Sequence, residues 1–540
     1  MLTLEEISAD RQRLHQRWYA EGHFAASSFG DKLQLTTCQF ADVRIGFHNA
    51  RGLEWTKIGN IWAHATDIAR GFQSIGIGPG NAVVIQMPLA LDTAATYLAL
   101  LSIGATIVPA LPAFGVREIE FILTQSKARV LIMPDRLRST DYLARVGHFA
   151  ALPGVEHIVI AGEAAVAGTT SLAELAIVGK ANDRALPSVD PDSVCVIIYT
   201  SGTTSDPKGV QHTHNSLLAD LRSPLFHDRG LFLNLLPTGH IGGLLYLLRP
   251  FLLGVSQIFM DQWVPETAAS IIAAEQVREI SATPVFLLKL LEVSESGGYD
   301  LSSIQFFGVG GASVAPDHIR LAQERGFESG RGYGSSEHPV VSTSLLGAPF
   351  EKRAFTDGAV TYGNEVRIVD DDGNDLPVGE AGEIVSRGPG MFVGYTDLEL
   401  NQEAYLSGGW YRSGDIGRLD ADGYVTVTDR KKDIIIRGGE NISSKEVEEI
   451  LAKLDPVAEA AVIAAPDPML GERICAFVRL RAKQALTLEM VQAHFASSQV
   501  ARHKTPEKLV EVEDFPRTAS GKIQKFALRK LLQDKSGASA

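Results

Sequence analysis

The chain is poor in cysteine. Cys38, Cys195 and Cys475 are the only three in 540 residues. Their wide separation offers neither a disulfide framework nor the paired spacing of a zinc site, which predicts a reducing, cytoplasmic setting. The N-terminus carries Glu5, Glu6, Asp10 and Arg11 close behind Met1, so the apolar core of a signal peptide is missing. Residues 93–116 form one long uncharged run, but Gly104, Pro109 and Pro112 interrupt it. It reads as a helix over residues 91–103 followed by a short strand through Ile107 and Val108, and no transmembrane segment is expected. A Gly-x-Ser-x-Gly elbow and a Gly-Lys-Ser/Thr phosphate loop are absent, as are internal repeats, which argues against a serine hydrolase and a Walker-type nucleotide enzyme.

Basic charge is also scarce. The net charge is −14. From Arg430 onward 19 Lys and Arg stand against 15 Asp and Glu, while the preceding residues hold 31 against 49. A mildly basic tail on an acidic body excludes nonspecific nucleic-acid binding by the whole protein. The tail suits a small unit that handles polyanions. Hydrophobic content of 45% and charged content of 21% describe a globular protein with ample core. Length alone allows three or four domains of average size, or two large units.

What is present begins with the apolar run Val194-Cys195-Val196-Ile197-Ile198, rich in β-branched residues and of strand length. It opens into Tyr199-Thr200-Ser201-Gly202-Thr203-Thr204-Ser205-Asp206-Pro207-Lys208-Gly209, and a helix is expected from about His214 to Leu221. Hydroxyls, unpaired backbone N–H groups, a glycine and a lysine are what a phosphate chain requires. Further buried-type strands at Ala82–Ile85, 129–133 and 157–160 alternate with helical segments, one of them carrying Ile61, Ala65, Ile68 and Phe72 on one face. That is the pattern of a mostly parallel sheet covered on both sides. The first fifty residues read as peripheral.

The Thr/Ser-rich stretch resembles the phosphate loop of the adenylate-forming (AMP-binding) superfamily, in its acyl-CoA synthetase branch. Four further stretches match in the same order, so the resemblance covers nearly the whole chain. It implies an α/β fold: a large N-terminal domain, residues 1–429, of mostly parallel sheets flanked by helices, with a β-rich subdomain. A hinge at 430–433 and a small mobile α+β lid at 434–540 would follow. Thr200, Ser201, Gly202, Thr203, Thr204 and Lys208 would hold phosphates. Gly311 and Ala312, at the end of Phe306-Phe307-Gly308-Val309-Gly310-Gly311-Ala312, would wall the adenine, and Tyr333 of Gly332-Tyr333-Gly334-Ser335-Ser336-Glu337 would stack on it. Gly334, Ser335 and Ser336 line the same site, and Glu337, with Thr200, would hold Mg²⁺ through hard oxygens. Asp415, within Trp410-Tyr411-Arg412-Ser413-Gly414-Asp415, would accept both ribose hydroxyls. Arg430 is assigned to ribose or phosphate and Lys432 to the pivot.

The resemblance also places His240, Gly242, Val309, Gly310, Gly334 and His338 around the acyl group. Residues 237–243 lack the aspartate that amino-acid-activating relatives use there. Arg437, Gly438, Gly439 and Glu440 would line the path of CoA. Lys522, in Pro516-Arg517-Thr518-Ala519-Ser520-Gly521-Lys522, would steady charge at the α-phosphate. Ser336 and Ser205 stand where the family usually has Thr and Gly. The implied activity is an ATP-dependent ligase that activates an apolar monocarboxylic acid (medium-chain, alicyclic or aromatic) as an acyl-adenylate and passes it to CoA. ATP and CoA are co-substrates, and a homodimer is one candidate assembly. Two alternatives stand beside it: loading of a carrier protein's phosphopantetheine, and a non-catalytic nucleotide-binding homologue.

Overall fold

The computed structural model describes residues 2–164, 166–200, 207–226, 230–312, 314–437, 440–467, 469–498, 502–518 and 521–537. Two large sheets dominate it. In the first, Val194–Thr200 pairs in parallel with Thr106–Pro109, and the parallel order continues through Ala82–Ile85, Val130–Pro134, His157–Ala161 and Thr170–Ser171. On its other side lies Lys208–Thr213, antiparallel, and then Gly394–Tyr395 at the edge. The second sheet runs Ala359–Val360, Ser342–Thr343, Glu328–Tyr333, Phe306–Val309, Glu279–Ala282, Phe232–Asn234, Gln257–Met260, Arg44–Asn49, Gly52–Lys57.

The main core lies between these sheets. Helices Phe29–Gln39, Ile58–Ser74, Leu91–Ser102 and Ile241–Leu253 fill the middle layer with fully buried Leu33, Ile61, Ile68, Phe72, Leu98 and Leu244. Helices on both faces explain why the strands are near-continuous apolar runs. Two further cores cover the outer faces, one around Ile258, Ile280 and Phe307 and one around Val84, Leu131 and Ile160. An antiparallel sheet follows, with Glu365–Val369, Gly382–Arg387, Trp410–Leu419, Val425–Arg430 and Tyr405–Leu406. After the turn Lys431–Asp433, a last sheet gathers Ile435–Arg437, Glu440–Ile442, Val457–Asp467, Gly471–Leu480 and Lys508–Glu511. Among the described residues no helix is long and apolar enough to cross a membrane.

One expectation needs correction. The first fifty residues are not peripheral: Phe29 and Leu33 are fully buried, and Arg44–Asn49 sits inside the second sheet between Gln257–Met260 and Gly52–Lys57. Gly46 and His48 break its apolar run, so the strand has no sequence signal of its own. The helix expected after the phosphate stretch stands at His214–Asp220. Lys208 and Gly209 begin the strand Lys208–Thr213, with Thr200 opposite Lys208.

Candidate active site

The site is built from strand ends. Val194–Thr200 delivers Thr200 and its antiparallel neighbour returns Lys208, with Thr200 Oγ1 reaching the Lys208 carbonyl at 3.5 Å. Phe306–Val309 ends in Gly310, Gly311 and Ala312. Gly311 has φ +74°, a conformation that glycine adopts without cost. Glu328–Tyr333 ends in Tyr333 and then turns tightly through Gly334, where a Cβ would lie 2.0 Å from the Pro339 carbonyl oxygen. Only glycine fits that turn, and the turn presents Ser335, Ser336 and Glu337. From the antiparallel sheet, Asp415 stands opposite Arg430 across a strand pair.

These parts converge on one cleft of about 2400 Å³. Thr200, Lys208, His240, Gly242, Val309, Gly310, Gly311 and Ala312 line it, as do Tyr333, Gly334, Ser335, Ser336, Glu337, Asp415, Arg430 and Lys522. The Tyr333 hydroxyl donates to Asp415 Oδ2 at 2.9 Å, and Arg430 Nε meets Asp415 Oδ1 at 2.9 Å. Burial pushes the Tyr333 phenol up, so it stays a donor. A carboxylate has about four lone-pair sites, which leaves Asp415 room for two more hydroxyls. Lys522 arrives on the loop at 516–523, closed by Thr518 N to Lys522 O at 2.8 Å and by the bridge between Arg517 and Ile523. The loop packs close to the helix Pro284–Gly297: a Cβ on Gly521 would lie 2.8 Å from Val285 Cγ1.

The comparisons with known proteins bear on this geometry. Residues 47–396 match the model of the AMP-binding enzyme family, and residues 446–522 match that of the AMP-binding enzyme C-terminal domain. The chain belongs to the AMP-binding enzyme family. It is 36% identical to the medium-chain fatty-acid–CoA ligase of Escherichia coli (strain K12) over 524 residues, 94% of this chain and 91% of that one. It is 30% identical to the 2,3-dihydroxybenzoate-AMP ligase of Bacillus subtilis (strain 168), with 97% of each chain covered. The crystal structure of ATP-bound MatB from Rhodopseudomonas palustris superposes with a TM-score of 0.82 at 25% identity, covering 93% of this chain and 99% of that one. The expected acyl-CoA synthetase branch and α/β fold are thus borne out.

Within this AMP-binding enzyme some expected residues lie elsewhere. His338 does not line the cleft. It is fully buried, its Nδ1 is 2.9 Å from Ser386 Oγ, and its Nε2 donates to Asn364 Oδ1 at 3.1 Å. The tight turn sends Glu337 to the cleft and the next side chain into the antiparallel sheet, so His338 is not an acyl-pocket residue in this arrangement. Arg437 is also off the cleft, paired with Glu507 at 2.7 Å. Ser201, Gly202, Thr203, Thr204, Gly438 and Gly439 lie outside the described residues, as does the side chain of Glu440. Lys432 falls within the turn Lys431–Asp433.

Asp357 and Lys445 carried no sequence signal. Asp357 takes Arg331 in a buried bidentate pair at 2.7 and 2.8 Å and accepts Val427 N at 2.8 Å. It thereby ties the strand bearing Tyr333 to the strand bearing Arg430. Lys445, on the helix Ser444–Leu451, lines the cleft and donates to the Val427 carbonyl, which seats the last domain on the body. Leu225, Phe226, Leu236, Ile241, Leu245 and Val340 line the cleft as apolar walls. Gly242 leaves room there, its nearest neighbour being Leu236 Cδ1 at 3.6 Å from a built Cβ. His240 is held neutral by burial, and its Nε2 has no hydrogen-bond partner among the described residues.

Mg²⁺ can be tested against these residues. No group of three or more His, Cys, Asp or Glu gathers among the described residues, so those residues form no metal cage of their own. Glu337 with Thr200 fits the sparse donor set of Mg²⁺, which takes its other ligands from phosphate and water.

Three histidines surround the Ser336–Glu337 turn and its neighbouring strand. His212, whose Nε2 donates to the Ser336 carbonyl at 2.7 Å, is pushed down from 6.5 to about 4 by burial, as are His214 and His338. A depressed folded pKa means that the unfolded chain binds more protons below 6.5. Stability is therefore complete above about pH 6.5 and falls as pH drops through about 4, each histidine contributing on the order of 3 kcal/mol at the full shift. The thermal unfolding midpoint should be level from pH 8 to 6.5 and fall steeply below, and a midpoint flat down to pH 4.5 would contradict these burials.

Proposed function

We propose that the enzyme activates an apolar monocarboxylic acid with ATP and then transfers the acyl group to CoA. The observation that carries this reading is the convergence on one cleft of the linked side chains Tyr333, Asp415 and Arg430 with Thr200, Lys208 and Glu337, an uncharged apolar wall and Lys522. In the first half-reaction a carboxylate oxygen attacks the α-phosphorus and pyrophosphate leaves. Asp415 and Arg430 orient the ribose. Lys208 screens the departing phosphates, and Lys522 stabilises charge on the α-phosphoryl oxygens and the incoming carboxylate. When Mg²⁺ is bound by Glu337 and Thr200, the chemistry it supplies is neutralisation of phosphate charge.

In the second half-reaction the CoA thiol attacks the acyl carbonyl. A thioester forms, the thiol proton is lost, and AMP leaves. We assign the exchange between halves to rotation of residues 434–540 about 430–433, which withdraws Lys522 and brings Arg437 and the 437–440 loop to the cleft. Arg437 lying off the cleft while Lys522 lines it agrees with the first half-reaction. Leu225, Phe226, Leu236, Ile241, Leu245 and Val340 carry no charge to pair a second carboxylate, which favours a monocarboxylate, and the similarity to a medium-chain fatty-acid–CoA ligase points the same way.

The test is a panel of medium-chain, alicyclic, aromatic and dicarboxylic acids with ATP, Mg²⁺ and CoA, followed by AMP and thioester. Thioester from apolar monocarboxylates, with dicarboxylates inert, is the expected result. AMP production without CoA consumption would move the acceptor to a carrier protein, a reading that the 30% identity to an aryl-AMP ligase keeps in play. No AMP with any acid would end the catalytic assignment.

A further inference from the structure

Glu337 and Lys208 carry opposite charge on the same cleft, yet neither pairs with the other. One short segment stands between them. Phe392 N donates to the Glu337 carbonyl at 2.7 Å, Val393 N to the Gln211 carbonyl at 2.9 Å, and Thr396 N to the Gly209 carbonyl at 2.8 Å. Residues 392–396 thus clip the backbone of the glutamate turn to the strand that begins at Lys208. Tyr395, opposite Val210 in that strand pair, repeats the link with its side chain. Its hydroxyl donates to Glu337 Oε1 at 2.7 Å, and its ring lies under Lys208 Nζ at 5.2 Å from the centroid.

We propose that Tyr395 is a positioning residue that keeps the metal-binding carboxylate and the phosphate-binding ammonium apart and each correctly aimed. The proposal rests on the ATP-ligase reading above. A bare carboxylate and ammonium sharing a cleft would collapse into an ion pair, consuming both before substrate arrives. The phenol occupies one carboxylate oxygen by a hydrogen bond and leaves Oε2 for a cation. The π face receives the ammonium without neutralising it. Asn401 Oδ1 accepts Tyr395 N at 2.8 Å, and the ring packs on Phe392 at 5.0 Å between centroids, which locks its direction.

The experiment measures equilibrium dissociation constants of the full-length enzyme for Mg·ATP and for ATP in excess EDTA, without turnover. In Tyr395→Phe the preference for Mg·ATP over metal-free ATP should fall about tenfold, the scale of one hydrogen bond to a charged group. Tyr395→Leu, which also removes the ring, should weaken metal-free ATP as well. In a Glu337→Gln background the Tyr395→Phe change should have no further effect on the ratio. An unchanged ratio in Tyr395→Phe would overturn the proposal. So would equal weakening of both forms with a lowered unfolding midpoint, or the same tenfold change in the Glu337→Gln background. Failure of the unsubstituted enzyme to bind either form would instead overturn the ATP-ligase reading, and the role of Tyr395 with it.

Discussion

Lys522→Ala should lower acid-dependent ATP–pyrophosphate exchange by about 10²–10³-fold, the scale of removing one preorganised donor from a developing charge. Lys522 lies on a short loop whose closure depends on backbone bonds and on Thr518 Oγ1, which accepts Lys522 N at 3.1 Å, and truncation at Cβ disturbs none of these. The unfolding midpoint should therefore move little, which separates a chemical loss from a folding one. Thioester formation from a preformed acyl-adenylate should be nearly unaffected, because that half-reaction leaves the α-phosphate charge already settled. Full exchange in the variant would remove Lys522 from the mechanism.

Lys432→Pro should give the opposite pattern. Residues 431–433 form one short turn between the antiparallel sheet and the last domain, and the cleft is completed from both sides of it. Proline holds φ near about −65° and removes the N–H, so the backbone loses the freedom that a rotation would use. The arrangement seen here already brings Lys522 to the cleft. Pyrophosphate exchange should thus stay near the native rate, while thioester formation from preformed acyl-adenylate falls roughly tenfold or more. Equal survival of both halves would mean that the domain does not turn about Lys432. Equal loss of both would assign the turn to seating the domain.

Much of the fold was legible because buried parallel strands have to be continuous apolar runs and their covering helices have to be amphipathic. Ala82–Ile85, Val130–Pro134, His157–Ala161 and Val194–Thr200 all stand where their apolar runs predict. Ser443 caps the helix Ser444–Leu451 by accepting Glu446 N. Arg44–Asn49 was not legible, since Gly46 and His48 interrupt its apolar run and the neighbour that places it inside the second sheet, Gln257–Met260, lies more than two hundred residues away. His338 was misread for a related reason: proximity to Glu337 in the chain says nothing about which wall of a tight turn a side chain enters.

By itself the amino-acid sequence determined the family, the strand–helix alternation and the chemical types at the strand ends, because residue type and short-range spacing are local properties. The tertiary structure alone decided that Tyr333, Asp415 and Arg430 meet, that Asp357 ties their strands, and that Tyr395 stands between Glu337 and Lys208. Those relations join segments far apart in the chain. Their distances follow from how two sheets and a last domain pack, and no local pattern encodes them.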